Sequence, residues 1–164
     1  MSRNITLIGM AGSGKTTIGS IIAHKLGKEF IDSDKLIEDK YKSPLQRILE
    51  SNGYLKLREI ESEVIQNIDM NNVVLATGGS AVYSPNAMNH LATQSSIIYL
   101  KVPLSIIFKR VDDFGNRGFA KHPEQSIEEV YKERSLLYES FANITIENIS
   151  STESCVEEII MQLK

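Results

Sequence analysis

Only one cysteine, Cys155, occurs in the 164 residues, so no disulfide can form within the chain and a reducing compartment is expected. No apolar run approaches the roughly 20 residues that a helix needs to cross a bilayer. The opening "MSRNITLIGM" reaches glycine before the apolar stretch of a signal peptide develops. A cytoplasmic protein with no membrane partner is therefore expected. Charge of one sign is not in excess: 18 Lys and Arg face 21 Asp and Glu, a net charge of −3. That balance argues against a surface that coats nucleic acid, while a local cluster of cations can still serve a small anionic ligand. The three histidines (His24, His90 and His122) are far apart and show no metal-ligand spacing. Repeats and low-complexity tracts are also missing. The length suits a single domain over residues 1–164, and a monomer is expected.

What is present alternates. "ITLIG" (5–9), "EFIDSD" (29–34), "VVLATGG" (73–79), "SSIIYLKV" (95–102) and "NITIENI" (143–149) read as strands. Between them, "TTIGSIIAHKLG" (16–27) has apolar residues at 18, 21, 22 and 26, the spacing of one helix face. Helical pattern also covers 35–69 (broken at "KSP" and "NGY"), 85–92, 104–111, 126–142 and 153–163. Strands that alternate with helices imply an α/β domain with a mainly parallel sheet and right-handed crossovers. "DDFGNRGFAKHPEQ" (112–125) is polar and aperiodic, and reads as a mobile loop.

"GMAGSGKT" (9–16) satisfies G-x-x-x-x-G-K-[ST] between a predicted strand and a predicted helix, the context this phosphate-binding loop requires. Glycines let the backbone approach an anion closely, so that N–H groups from Gly12 through Thr17 can converge on phosphate oxygens at the positive end of a helix. Lys15 can reach the β- and γ-phosphates, and the Thr16 hydroxyl can ligate Mg²⁺. The alternative is a glycine-rich turn that binds nothing. ATP is favoured over GTP, because no N-K-x-D guanine-reading motif and no D-x-x-G switch accompany the loop.

Three further pieces narrow the fate of the phosphate. "DSD" places Asp32 and Asp34 at the carboxyl end of the second strand, where open parallel sheets bind ligands. Strand alternation would send both carboxylates the same way, one toward Mg²⁺ water and one toward a substrate hydroxyl; solvated loop carboxylates or a helix cap are the plainer reading. "LREIESEV" sets Arg58 and Glu61 three residues apart on one helix face, either a solvated ion pair or an arginine held ready for a carboxylate. "TGGS" (77–80) offers bare backbone N–H groups, or simply a tight turn.

Taken in order, "GMAGSGKTT", "DSD", "LREIE", "ATGG", "FKR" (108–110), "NRG" (116–118) and "ERSLLYESFA" (133–142) resemble the shikimate kinases, a P-loop family of the nucleoside-monophosphate-kinase-like group. The resemblance covers nearly the whole chain. It implies a three-layer P-loop kinase fold whose five-stranded parallel sheet runs 2-3-1-4-5 between helices. It implies a mobile lid near 112–125 and an acceptor-binding helical region near 33–62. Ser13, Gly14, Lys15 and Thr17 would belong to the nucleotide site, with Arg110 against adenine. Asp32 would join Thr16 around Mg²⁺. Asp34 would meet acceptor hydroxyls, Arg58 and Arg134 would clamp an acceptor carboxylate, and Gly78 and Gly79 would offer backbone contacts. Arg117 would swing over the phosphates as the lid closes. Lys15, Asp34 and Arg117 would then carry catalysis, by placement and charge neutralisation. Ser80, where the family usually has a third glycine, and Gly118, where a proline is common, keep other acceptors such as homoserine or gluconate open, as well as a nucleotide-binding protein without transfer activity. Tyr131, Tyr138 and Cys155 read as packing residues.

Overall fold

The computed structural model describes residues 4–164, so residues 1–3 of the expected 1–164 domain lie outside the described residues. Five strands, β1 (Asn4–Ile8), β2 (Glu29–Asp32), β3 (Val73–Ala76), β4 (Ser95–Lys101) and β5 (Ile144–Glu147), form one sheet in the order β2-β3-β1-β4-β5. Every neighbouring pair is parallel, with Leu7 level with Ala76 on one side and Ile98 on the other. Strand order and helix alternation match the expected P-loop kinase fold.

The core strands are apolar on both faces because helices cover both. Ile5 and Leu7 of β1 point to one face, where they pack with Val74, Ile98 and Leu100 against Ile18 and Ile22 of α1 (Lys15–Leu26) and Val156 and Ile159 of α8 (Thr152–Gln162). Ile8, Leu75, Ile97 and Tyr99 point the other way. They meet Ile65 of α4 (Tyr54–Gln66), Met88 and Leu91 of α5 (Pro85–Gln94), and Val130 and Tyr138 of α7 (Ile127–Phe141). Two polar contacts inside this frame are satisfied: Thr6 Oγ1 and Ser95 Oγ lie 2.7 Å apart, and Asn4 Nδ2 donates to the carbonyls of Met70 and Gln94 at 2.5 and 3.0 Å.

The long helical stretch expected over 35–69 divides into α2 (Ser33–Tyr41), α3 (Leu45–Asn52) and α4. The breaks fall where the sequence places them. Lys42 ends α2 with φ of 51°, Pro44 precedes α3, and Gly53 with φ of 82° separates α3 from α4. These helices share a small core of their own, Ile37, Leu45, Ile48, Leu57, Ile60 and Val64, into which Ala120 also packs. The 112–125 segment follows α6 (Leu104–Arg110) and is less polar in place than its composition suggests. Phe114 stacks edge-on with Phe119, and Phe119 and Ala120 are buried. Gly118 is the reason the chain can turn inward there. Its φ is 65°, its N–H donates to Gln46 Oε1 at 2.9 Å, and a Cβ would strike Leu45 of α3.

Among the described residues no helix is long and apolar enough to cross a membrane.

Candidate active site

The site sits at the carboxyl ends of the strands. β1 hands the chain to a bare loop that turns into α1 at Gly14, whose φ of 96° favours glycine and whose added Cβ would lie 2.6 Å from Asn148 Nδ2. The first N–H groups of a helix have no partner inside it, and Gly14 supplies no side-chain cap for them. Those donors at the positive helix end are what a phosphate needs, so the loop fits a nucleotide tail. Lys15 is buried and folded back on its own loop, donating to Gly9 O at 2.6 Å and Met10 O at 2.8 Å, with Ser13 Oγ at 3.5 Å. Burial pulls its ammonium down to about 8, against the opposing pull of Asp34, Asp32 and Glu61.

Behind the loop stands a buttress that its spacing does not announce. Asn148, at the end of β5, donates to Ser13 O at 2.9 Å. Arg110 then donates to the Asn148 carbonyl at 2.8 Å and to Gly12 O at 3.3 Å. Arg110, expected against adenine, is thus fixed to the rim of the loop. Asn148 could have been found by asking which polar residues end a parallel strand.

Asp32 and Asp34 do converge on the cleft, but strand alternation is not the cause. β2 stops at Asp32, which caps α2 by accepting from the N–H groups of Asp34 and Lys35 through Oδ1 at 3.0 and 3.3 Å. Its other oxygen, Oδ2, accepts from Thr16 Oγ1 at 2.8 Å. Asp34 therefore stands on the first turn of a helix, and its carboxyl is pushed up to about 6 by burial and by Asp32, while Lys15 works the other way. Ser33, which alternation would turn away, accepts from Gly78 N at 3.0 Å, so that N–H is already committed. No cluster of three or more acidic, histidine or cysteine ligands for a metal exists among the described residues. Thr16 and Asp32 suit Mg²⁺ all the same, because this ion keeps waters and binds through one or two carboxylates plus substrate phosphates.

Of the two readings of Arg58 and Glu61, the ion pair is absent. Glu61 is buried on the cleft side of α4, and its Oε2 accepts from Ser80 Oγ at 2.5 Å, leaving Oε1 without a partner. Burial, then the nearby Asp34, push its carboxyl up to about 7. Arg58 instead donates to Ala120 O at 3.1 Å, and Arg134, 1% exposed on α7, donates to the same oxygen at 2.7 Å. Tyr138, read as a packing residue, is buried as expected and also donates to Gly79 O at 2.6 Å. Cys155 is buried in the α1–α8 core, and Tyr131 donates to Val102 O at 2.9 Å.

These groups enclose a cleft of about 310 Å³. Its walls include Gly12, Gly14, Lys15, Thr16, Thr17, Asp32, Asp34, Glu61, Gly78, Gly79, Arg117 and Arg134. Arg117 enters from the 112–125 segment. Ser13, Arg58 and Arg110 stand behind the wall: Ser13 in the loop, Arg110 at its rim, Arg58 behind Ala120. Glu61 is a charged wall residue that its sequence context does not assign to the site. Its signal is the approach of "TGGS" to "LREIE", which only the fold reveals.

A phosphate-binding loop at the switch point of a 2-3-1-4-5 parallel sheet, facing carboxylates and guanidinium groups across a shared cleft, defines a P-loop kinase. Residues 11–164 match the shikimate kinase family. A shikimate kinase of Sulfurihydrogenibium sp. is 36% identical over 164 residues, covering 99% of this chain and 98% of that protein. One from Methylococcus capsulatus is 37% identical over 162 residues, with 96% and 90% covered. The solved shikimate kinase from Acinetobacter baumannii in complex with shikimate superposes with a TM-score of 0.88 at 32% identity, covering 98% of this chain and 92% of that one. The chain belongs to the shikimate kinase family.

Proposed function

We propose that the protein transfers the γ-phosphoryl group of ATP to a hydroxyl of shikimate, giving shikimate 3-phosphate and ADP, as a step toward aromatic amino acids. The observation that carries this reading is the convergence of Arg58 and Arg134, from two different helices, on one oxygen position beside a cleft that Lys15 and Asp34 line. Two guanidinium groups aimed at one point suit a carboxylate, and Asp34 beside them suits a hydroxyl of the same small molecule. The family's kinases named above support the same acceptor.

The roles follow from placement. Backbone N–H groups of Gly12, Gly14, Lys15, Thr16 and Thr17 hold the phosphates, Ser13 shapes the loop by donating its N–H to Met10 O at 3.1 Å, and Arg110 stands at the loop's rim on the nucleoside side. Lys15 leaves the Gly9 and Met10 carbonyls to meet the phosphate tail. Thr16 and Asp32 would hold Mg²⁺, which would supply positive charge beside the phosphates. Asp34 orients the attacking hydroxyl and accepts its proton, while Gly78 and Gly79 line the acceptor side. Arg117 adds positive charge over the transferring group, and the 112–125 lid keeps out water that would otherwise take the phosphoryl group. We read the chain as one catalytic domain acting as a cytoplasmic monomer.

A coupled ADP-release assay with shikimate, homoserine and gluconate tests the proposal. Shikimate should stimulate turnover far more than the others. Strong stimulation by another acid with none by shikimate would overturn it, and ATP binding without turnover on any acceptor would favour a non-catalytic role.

A further inference from the structure

An arginine one helical turn before a glutamate is usually fixed by it. In this chain that partnership is broken from outside. Ser80 Oγ holds the Glu61 carboxylate at 2.5 Å, and none of the ion pairs among the described residues includes Arg58. What meets the guanidinium instead is aromatic. Its central carbon lies 3.7 Å from the centroid of the Tyr83 ring and 5.0 Å from that of Tyr54. The same Tyr83 ring lies 5.4 Å from the guanidinium of Arg134. Tyr83 ends the short 3₁₀ turn Ala81–Tyr83 that Ser80 begins, and its hydroxyl donates to Glu133 Oε1 at 2.6 Å, next to Arg134 on α7.

We propose that Tyr83 is a positioning residue for acceptor binding: its ring face orients the Arg58 guanidinium while leaving the charge un-neutralised for the acceptor's carboxylate. This rests on the carboxylate-clamp reading given under Proposed function. A carboxylate partner would fix Arg58 equally well but would compete with the acceptor for the same donors. A ring fixes the plane of the guanidinium through its quadrupole and takes none of the N–H groups. The Ser80–Glu61 bond and the Tyr83 stack are therefore two halves of one arrangement. One withdraws the natural partner and the other replaces it with a surface that does not consume charge. Burial weighs against the charged form of Arg58.

The test is steady-state kinetics on the full chain with ATP and shikimate for the wild type, Tyr83→Ala, Tyr83→Leu, Tyr83→Phe, Arg58→Ala and the Arg58→Ala/Tyr83→Ala double variant. Tyr83→Ala should raise the acceptor KM by about 5- to 30-fold, with kcat and the KM for ATP within about twofold of wild type. Tyr83→Phe keeps the ring and loses the hydroxyl, which bonds Glu133 and also reaches Arg134, so its acceptor KM should stay well below that of Tyr83→Ala. The double variant should be no worse than Arg58→Ala alone, because Tyr83 acts through Arg58. Tyr83→Leu fills the space without a ring face and should behave as Tyr83→Ala; it decides the matter if the alanine variant shows no ADP-induced rise in Tm. An unchanged acceptor KM in the ring-less variants, a Phe variant as impaired as they are, or additive losses in the double variant would each overturn the proposal. Failure of the reading beneath it shows separately, in the wild type, as no turnover with shikimate. The same variants are then compared on whichever carboxylated acceptor the wild type does use.

Discussion

Arg58 on α4 and Arg134 on α7 donate to a single oxygen, the carbonyl of Ala120, at 3.1 and 2.7 Å. The two helices are far apart in sequence, and the oxygen comes from the 112–125 segment, so three separate segments meet at one acceptor atom. A carbonyl at the crossing point of two guanidinium groups marks the position where a carboxylate would gain most. In the proposed roles, the donors that would hold an acceptor are the donors that hold the 112–125 segment through Ala120 O.

Removal of one clamp arm should therefore be felt by the acceptor and not by the nucleotide. Arg58→Ala is expected to raise the acceptor KM by about 10- to 100-fold, the size of a lost hydrogen bond between charged groups. The KM for ATP should move little, because Arg58 stands outside the phosphate loop. Initial-rate measurements with each substrate varied in turn check this, and an unchanged acceptor KM would count against the clamp.

Lys15 is held by two backbone carbonyls at 2.6 and 2.8 Å, in a pocket that has lowered its affinity for a proton. A cation kept dry beside a phosphate site is worth more than one in water. Lys15→Ala should lower kcat by about 10²- to 10³-fold, in line with the loss of one group that neutralises developing charge. Turnover at the wild-type rate would remove Lys15 from the mechanism.

In the role proposed for it, Asp34 should give the reaction a pH dependence. Its carboxyl titrates near 6 because the site is buried and Asp32 is close. It can orient and deprotonate a hydroxyl only when ionised, so kcat/KM for the acceptor should fall as pH drops through about 6. Asp34→Asn should lose most activity and show no such limb. A profile that stays flat down to pH 5 in the wild type would show that Asp34 is not the group that must be ionised.

The strands, helix breaks and phosphate loop are legible in the sequence because each rests on local chemistry. Pro44 opens a helix and Gly53 takes the positive φ that ends one, and Gly12 and Gly14 mark the loop by their spacing. That Asp32 and Asp34 meet at one cleft is foreseen from strand alternation for a wrong reason: the strand ends at Asp32, two residues short of Asp34, and a helix cap turns Asp34 inward instead. The roles of Glu61, Ser80, Tyr83 and Asn148 cannot be read from spacing, because each depends on contacts between elements distant in the chain. Ser80 and Glu61 are brought together only when β3 and α4 pack, and until then Arg58 is the nearer partner for Glu61. The burial of Phe119 and Ala120 is hidden for the same reason, since the polar residues around them dominate the composition of 112–125.

Glu61 should make the ligand-free protein less stable in alkali than in acid. Its carboxyl is buried, one oxygen has no partner, and burial together with Asp34 lifts it from an ordinary 4.5 to about 7. Between those two values the folded chain holds a proton that the unfolded chain has released, so stability falls as pH rises through that window. The penalty is complete above about 7 and absent below about 4.5. Glutamine at this position can still accept from Ser80 and carries no charge to desolvate. Glu61→Gln is thus expected to stabilise the apo protein by about 1–3 kcal/mol at pH 8, at ~1.4 kcal/mol for each pH unit of that window. That corresponds to a Tm gain of roughly 2–4 °C per kcal/mol for a chain of this size. The gain should vanish as the pH is lowered toward 4.5, where the wild-type carboxyl is itself neutral. Thermal melts of both proteins at the two pH values check the sign, and a variant that is less stable than wild type at pH 8 would show that the charged carboxylate is a net support for the fold.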